Sequence, residues 1–177
     1  MNELTQYIPH RETRSQSIAI TEIKPLKNRY PVFPAEFSIQ DYVTYHKNVD
    51  NNKGRGIIIY VHESLLGRQI SPDTDYQESL WMEVQLTGND KLLIGCIYRG
   101  DSGTHDNNDK LLDLLIEMTK AEHSHRLIMG DFNYRGINWE KWTTNIDNPT
   151  NSQNNFFGCL QDNFLYQHFN SSTRDRG

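Results

Sequence analysis

Residues 91–98 read Lys-Leu-Leu-Ile-Gly-Cys-Ile-Tyr, and residues 125–130 read His-Arg-Leu-Ile-Met-Gly, followed by Asp131. Both runs are short and mainly apolar, which is typical of buried β-strands. Between them, apolar residues recur at helical spacing over positions 111–118, after candidate N-cap residues at 106–108. The order strand, helix, strand predicts a β-α-β unit whose two strands run parallel.

Polar side chains stand at the ends of these strands. Tyr98 closes the first strand and Asp131 follows the second. Because parallel strands end at the same edge of a sheet, both side chains are expected at one edge. Residues 80–86 alternate between apolar and polar, and the turn at 87–90 predicts a hairpin with the Tyr98 strand. This hairpin would bring Glu78 to the same edge.

Other apolar segments complete the predicted architecture. Residues 17–21 and 56–61 predict further strands, residues 42–46 a weaker one, and residues 152–162 a second helix. The first of these strands ends in a carboxylate, Glu22. Strands joined partly by hairpins and partly by helices indicate a mixed α/β sandwich rather than a doubly wound parallel sheet.

The residues expected at this edge suit a metal-assisted reaction on a phosphoester. They are Glu22, Glu78, Tyr98, Asp131 and Asn133. Oxygen ligands bind Mg²⁺, an amide and a phenol can position a phosphate, and a carboxylate can activate water. The same residues also fit a purely structural interpretation, in which they form turns and Tyr98 is a core aromatic. The edge alone leaves both interpretations open.

Composition excludes several classes of protein. The chain has 177 residues, enough for one domain with a substantial core. No apolar run approaches the roughly 18 residues that span a bilayer, and the first ten residues contain no secretory apolar region. Cys96 and Cys159 are the only cysteines, too few for a disulfide framework. We therefore expect no membrane-spanning segment and no signal peptide.

The charge distribution bears on nucleic-acid binding. The net charge is −5, from 18 basic and 23 acidic residues, and no strong basic stripe is present. This counts against tight non-specific DNA binding by the chain alone. It does not count against an enzyme that contacts a phosphodiester through a metal ion, because the ion supplies positive charge locally.

The tripeptide Gly54-Arg55-Gly56 is similar to the start of a glycine-rich phosphate-binding loop. Such loops link a strand to a helix, whereas this tripeptide precedes a strand. Its position therefore favours a turn over a phosphate-binding loop.

Three short motifs carry a family resemblance: Thr21-Glu22, Gly95-Cys96-Ile97-Tyr98-Arg99 and Gly130-Asp131-Phe132-Asn133. Together they resemble the endonuclease/exonuclease/phosphatase family, which includes DNase I and the apurinic-site endonucleases. The greatest similarity is to the endonuclease domain of LINE-type (non-LTR) retrotransposon polyproteins. Further similar segments follow in the family's order: Pro34-Ala35-Glu36, Gly54-Arg55-Gly56-Ile57, Glu78-Ser79-Leu80-Trp81, Leu160-Gln161-Asp162, Gln167-His168 and Ser172-Thr173-Arg174.

The resemblance implies a fold and a set of catalytic roles. The fold would be a DNase I-like α/β sandwich of two mixed β-sheets flanked by helices. Glu22 is similar to the family's metal-binding glutamate, with Mg²⁺ or Mn²⁺ as the cofactor. Tyr98 is similar to the tyrosine that contacts the scissile phosphate. Asp131 matches the aspartate that readies the attacking water, and Asn133 matches the asparagine that steadies the phosphoryl oxygens.

Three further positions receive weaker assignments from the resemblance. Arg99 and Thr173 are expected to contact substrate. Glu78 belongs to a recurring Glu-x-x-Trp stretch and is expected to support the edge of the sheet rather than to bind metal.

Residues 1–177 resemble only part of the family's domain. Asn2 stands in the wrong context to match the asparagine of the family's first strand, and no Ser-Asp-His follows Arg174. We therefore expect a partial domain without its first and last strands. Losing a charge-stabilising group typically lowers the rate by ~10²–10³, so little or no activity is expected from these residues alone.

The predicted function is a metal-dependent phosphodiesterase that nicks DNA as the endonuclease part of a retrotransposon polyprotein containing a reverse transcriptase. DNA would be its partner, and an intracellular, nuclear location is what the resemblance implies. Two alternatives stay open. The chain could be a non-catalytic remnant with at most a binding role, or a phosphatase of the same fold that acts on small phosphate esters.

Overall fold

The computed structural model describes residues 15–24, 33–49, 54–100, 103–148 and 150–168. These residues form nine strands, two α-helices and one 3₁₀ helix. The strands are β1 Ser17–Thr21, β2 Tyr42–Lys47, β3 Ile57–His62, β4 Leu66–Ile70, β5 Ser79–Gln85, β6 Lys91–Tyr98, β7 His125–Asp131, β8 Ile137–Asn138 and β9 Thr143–Thr144; the helices are α1 His105–Lys120, α2 Ser152–Asp162 and the 3₁₀ helix Pro34–Phe37.

The strands form two main sheets. One has the order β1-β3-β2 and the other β4-β5-β6-β7, while β8 and β9 form a separate two-stranded ladder. The second sheet is mixed, because β6 and β7 are parallel and its other pairs are antiparallel. The first sheet is antiparallel at both of its ladders. The expectation of two mixed sheets is therefore wrong for the first sheet among the described strands.

The space between the two sheets is filled by alternate residues of the central strands. β3 contributes Ile57, Ile59 and Val61, and the second sheet contributes Leu80, Met82, Val84, Ile94 and Cys96. This alternation follows from the two-residue period of a strand, which sends every second side chain to the same face. Tyr98 is the last member of this series on β6, so its ring lies at the end of the layer between the sheets.

The opposite face of the second sheet packs against the two helices. Trp81, Leu93 and Ile97 contact a cluster formed by the apolar sides of α1 and α2. Consequently β5 is buried on both faces, whereas its alternating sequence predicts a strand with one face in water. The alternating sequence of β5 predicts that the face carrying its polar residues lies in water. In the structure the two helices cover this face.

The helices begin and end close to the predicted positions. α2 has the predicted bounds, and α1 extends the predicted helix by one to two turns. The N-cap of α1 is Thr104, whose hydroxyl accepts a hydrogen bond from the Asn107 N–H, so the prediction of a cap at 106–108 is wrong. Neither helix is long and apolar enough to cross a membrane, among the residues described.

Strand β4 was not predicted from the sequence. Its residues, Leu-Gly-Arg-Gln-Ile, show no apolar alternation, and Leu66 is 79% exposed. The strand is held by its backbone ladder with β5 and by an ion pair in which Arg68 Nε lies 2.8 Å from Glu83 Oε1. Its position at the sheet edge, with one neighbouring strand, explains why its side chains need not be apolar.

Candidate active site

Tyr98 and Asp131 lie side by side at one edge of the second sheet. They are register partners at the last position of the parallel β6–β7 ladder. The Arg99 N–H donates to the Asp131 carbonyl at 2.8 Å, which extends the pairing beyond the strands. Side chains at partnered positions point to the same face of a sheet, so Asp131 shares with Tyr98 the face that looks toward the first sheet. This confirms the predicted parallel strands.

The segment after β7 makes a tight turn that fixes Asn133. Gly130 has φ +140°, and a Cβ there would overlap the Ile97 carbonyl, so β7 and β6 approach closely at this point. Asn133 has φ +52°, and its backbone N–H donates to Asp131 Oδ1 at 3.2 Å. Its side-chain Nδ2 donates to the Arg99 carbonyl at 2.7 Å. An amide nitrogen carries two hydrogens, so one remains that can serve a substrate oxygen.

Glu22 reaches the same edge from the other sheet. It follows β1, and its φ of +55° turns the chain away from the strand direction. β1 belongs to the first sheet but also contacts β6 and β7. The Glu22 carboxylate forms an ion pair with Arg55 and lies close enough to the Tyr98 hydroxyl to raise its pKa. Residues from both sheets therefore meet around one phenol.

The environment of Tyr98 keeps its hydroxyl protonated. Burial and the nearby carboxylates of Glu22 and Asp131 together raise the pKa of Tyr98 to about 12. The nearby Arg55 cation acts in the opposite direction, and its guanidinium carbon lies 5.7 Å from the centre of the Tyr98 ring. At neutral pH the phenol is therefore a hydrogen-bond donor that faces two carboxylates.

Glu78 lies behind this edge and supports it. Its backbone carbonyl accepts from the Tyr98 N–H at 2.9 Å, and its Oε1 accepts from the Arg55 backbone N–H at 3.0 Å. Its other oxygen, Oε2, is buried without a hydrogen-bond partner among the described residues. Burial raises the pKa of Glu78, although hydrogen bonds from Arg55 and Asn48 counteract the effect. This placement is compatible with the supporting role assigned to Glu78.

Arg99 is part of the core, which disagrees with the substrate contact predicted for it. The residue is 5% exposed, and its Nε donates to Asn108 Oδ1 at 2.8 Å. Its guanidinium carbon lies 4.0 Å from the centre of the Tyr134 ring, and a terminal nitrogen donates to the Phe132 carbonyl. Through these contacts with Phe132 and Tyr134, the guanidinium stabilises the turn after β7 from its buried side. The other predicted substrate contact, Thr173, lies outside the described residues.

The donor atoms at this edge restrict how a metal ion could be held. The described residues contain no group of three or more His, Cys, Asp or Glu side chains that could enclose an ion. Mg²⁺ is commonly held by one or two carboxylates and completes its shell with water and substrate oxygens. Glu22, which is partly exposed, fits such a site as a protein ligand. Its metal-binding role remains a prediction.

Sequence reasoning did not select Arg55 as a site residue. The structure places its guanidinium between Glu22 and the Tyr98 ring. The sequence feature that could have indicated Arg55 is the glycine on either side of it, because glycines allow the backbone to approach other groups closely. The sequence does not show that the partner is Glu22, because the two residues are 33 positions apart.

The two packed sheets, the flanking helices and the polar edge together define a DNase I-like α/β fold, as predicted. Among solved structures, the chain is similar to the endonuclease domain of TRAS1, a telomere-specific non-LTR retrotransposon, with a TM-score of 0.51 and 11% sequence identity. The similarity covers 71% of this chain and 53% of that one, so this chain matches about half the length of its neighbour. No protein-family model and no curated protein matches the sequence. At this identity the similarity concerns the fold.

Proposed function

We propose that this chain is a divalent-metal-dependent phosphodiesterase that nicks DNA. The observation that supports it is the meeting of Glu22, Tyr98 and Asp131 from two sheets at one partly exposed edge. The fold of a retrotransposon endonuclease domain supports the same substrate class. In this proposal the chain works within a longer polyprotein that includes a reverse transcriptase, and it acts on DNA in the nucleus.

Each residue has a chemical task in this proposal. Asp131 accepts the proton of a water molecule as the water attacks phosphorus, because a carboxylate can act as a general base. As the new P–O bond forms, one P–O ester bond of the DNA strand breaks, and the leaving sugar oxygen takes up a proton from solvent. The protonated Tyr98 hydroxyl donates to a phosphoryl oxygen, and the second Nδ2 hydrogen of Asn133 donates to another. These donors stabilise negative charge as it develops on the phosphate. Glu22 would hold Mg²⁺ or Mn²⁺, which supplies further positive charge to the phosphate when it is bound.

A supercoiled-plasmid assay on the 177-residue chain tests this function. At high protein concentration we expect slow conversion to the open circular form with Mg²⁺ or Mn²⁺ and none with EDTA. Asp131→Ala should nick at least a hundred-fold more slowly, consistent with the ~10²–10⁴-fold contribution of a general base. Asp109→Ala is a matched control, because Asp109 lies on the exposed side of α1 and pairs with His105. Equal nicking by wild type and Asp131→Ala would contradict the assignment.

The same preparation separates the two other functions. Hydrolysis of p-nitrophenyl phosphate without nicking would favour a phosphatase that acts on small esters. A folded chain that neither nicks DNA nor hydrolyses the ester would favour a non-catalytic role. Circular dichroism shows whether the chain is folded in each case.

A further inference from the structure

The Gly54-Arg55-Gly56 segment is fixed by its backbone at the polar edge. The Arg55 N–H donates to Glu78 Oε1, and the Arg55 carbonyl accepts from the Lys24 N–H at 2.9 Å. A Cβ at Gly54 would overlap Glu78 Oε1 and lie 2.9 Å from Asn48 Nδ2. A side chain at position 54 would require the ends of these two side chains to move. The backbone of Arg55 is thus tied to segments from both sheets.

The Arg55 side chain, in contrast, is held only at the surface. Its guanidinium pairs with Glu22, and the two side chains are 41% and 30% exposed. Ion pairs that are exposed to this degree contribute little to stability, because water screens them. The guanidinium can therefore leave Glu22 without a large loss. Arg99 cannot move in this way, because it is buried and its donors are used in the core.

Two features of the Arg55 guanidinium indicate what it binds once its ion pair with Glu22 is broken. It occupies the carboxylate that is proposed to hold the divalent cation, so a bound cation and the guanidinium compete for Glu22. A guanidinium also presents a planar pair of N–H groups that matches two oxygens of a phosphate. Its place beside the Tyr98 ring puts it within the region where the phosphate would lie.

We propose that Arg55 is an exchangeable substrate contact, which pairs with Glu22 in the cation-free protein and binds a DNA phosphate when Glu22 holds a divalent cation. This inference rests on the proposed function, since it takes Glu22 as the metal ligand. It gives Arg55 two opposite effects: it weakens cation binding, and it strengthens DNA binding.

The first effect is measured by calorimetric titration of Mn²⁺ into the whole chain without DNA. Arg55→Gln is expected to bind Mn²⁺ about two- to five-fold more tightly than wild type, which corresponds to losing a competing exposed ion pair. Glu22→Gln is expected to lose this binding. Arg68→Gln is the matched control, because Arg68 is an exposed arginine that pairs with a carboxylate, Glu83 on β5, away from the candidate site. It should bind Mn²⁺ as wild type does.

The second effect is measured by fluorescence anisotropy of a short fluorescein-labelled DNA duplex with Mn²⁺. The Asp131→Ala background keeps the duplex intact. Adding Arg55→Gln is expected to weaken binding about ten-fold or more, as when a hydrogen bond to a charged group is lost. Arg55→Lys keeps the charge but not the planar pair of donors, so it should bind Mn²⁺ like wild type and DNA several-fold more weakly. Arg68→Gln should change DNA binding less than two-fold.

The outcomes separate this inference from the function on which it rests. If Glu22→Gln binds Mn²⁺ as well as wild type, the metal site at Glu22 is wrong and the proposal for Arg55 falls with it. If Glu22→Gln loses Mn²⁺ but Arg55→Gln binds it no more tightly, or binds DNA as before, only the proposal for Arg55 is overturned. If Arg55→Gln does not fold, Arg55→Lys decides, and unchanged DNA binding by Arg55→Lys contradicts the proposal.

Discussion

Tyr98 and Asp131 are paired in register at the last position of the parallel strands β6 and β7. Glu22, which follows a strand of the opposite sheet, lies close enough to the Tyr98 hydroxyl to raise its pKa. Carboxylates from both sheets therefore act on one phenol at the candidate active site.

Replacement of Tyr98 by phenylalanine removes the hydroxyl and keeps the ring between the sheets. In the proposed function the hydroxyl donates to the phosphate, so Tyr98→Phe should lower the nicking rate by ~10²–10³, as for other preorganised donors. Removing this one polar group beside Glu22 should change the free energy of unfolding by no more than about 0.5–1.5 kcal/mol. Plasmid nicking and urea denaturation measure the two quantities.

Tyr45→Phe is the control for this substitution. The Tyr45 hydroxyl donates to the Gly67 carbonyl at 2.9 Å, on a strand away from the candidate site. It should lower stability by a similar amount and leave the nicking rate unchanged. A loss of nicking by Tyr45→Phe equal to that of Tyr98→Phe would show that the effect comes from stability alone.

Replacement of Gly54 by alanine should disturb the support of Arg55. The added Cβ would overlap Glu78 Oε1, which must then move away from the Arg55 N–H. Overpacking of this kind typically lowers the free energy of unfolding by about 1–3 kcal/mol, and urea denaturation measures it. Gly158→Ala should have the opposite effect. Gly158 lies within α2 with open space around its Cβ position, so alanine should stabilise the helix by roughly 0.5–1 kcal/mol.

If Gly54→Ala and Gly158→Ala changed the free energy of unfolding in the same direction, the overlap with Glu78 would not explain the effect of Gly54→Ala. A Gly54→Ala protein that unfolds like wild type would contradict the contact with Glu78.

Glu83 should make stability depend on pH in the acid range. Its carboxylate accepts a hydrogen bond from Arg68 and interacts with Lys91, which lowers its pKa from 4.5 to about 2. As the pH falls, Glu83 therefore becomes protonated in the unfolded chain at a higher pH than in the folded chain. The contribution of Glu83 is complete above pH 4.5 and disappears as the pH drops toward about 2. Urea denaturation of wild type and Glu83→Gln at several pH values in this range measures it.

The difference between the two denaturation series isolates Glu83, because all other carboxyl groups titrate in both proteins. We expect wild type to lose more stability than Glu83→Gln between pH 4.5 and about 2. A constant difference over this range would show that Arg68 and Lys91 do not hold the charged form of Glu83.

Much of the sheet that carries the site was predictable from the sequence. Local apolar patterns gave the bounds of β6 and α2, and the β-α-β order required parallel strands. Chain direction then predicts Tyr98 and Asp131 at one edge, and the two residues are register partners in the structure. Strand β4 was missed because an edge strand can be held by backbone hydrogen bonds, which leave no apolar pattern in the sequence.

The strand order around Tyr98 follows from the sequence, because periodicity and chain direction are local properties. The roles of the two arginines depend on tertiary contacts. Arg99 is buried because Asn108 and Tyr134, from separate segments, enclose its guanidinium. Arg55 reaches Glu22 because β1 and β3 pair and bring distant segments together. Such contacts depend on how the sheets pack, and no short sequence window contains that information.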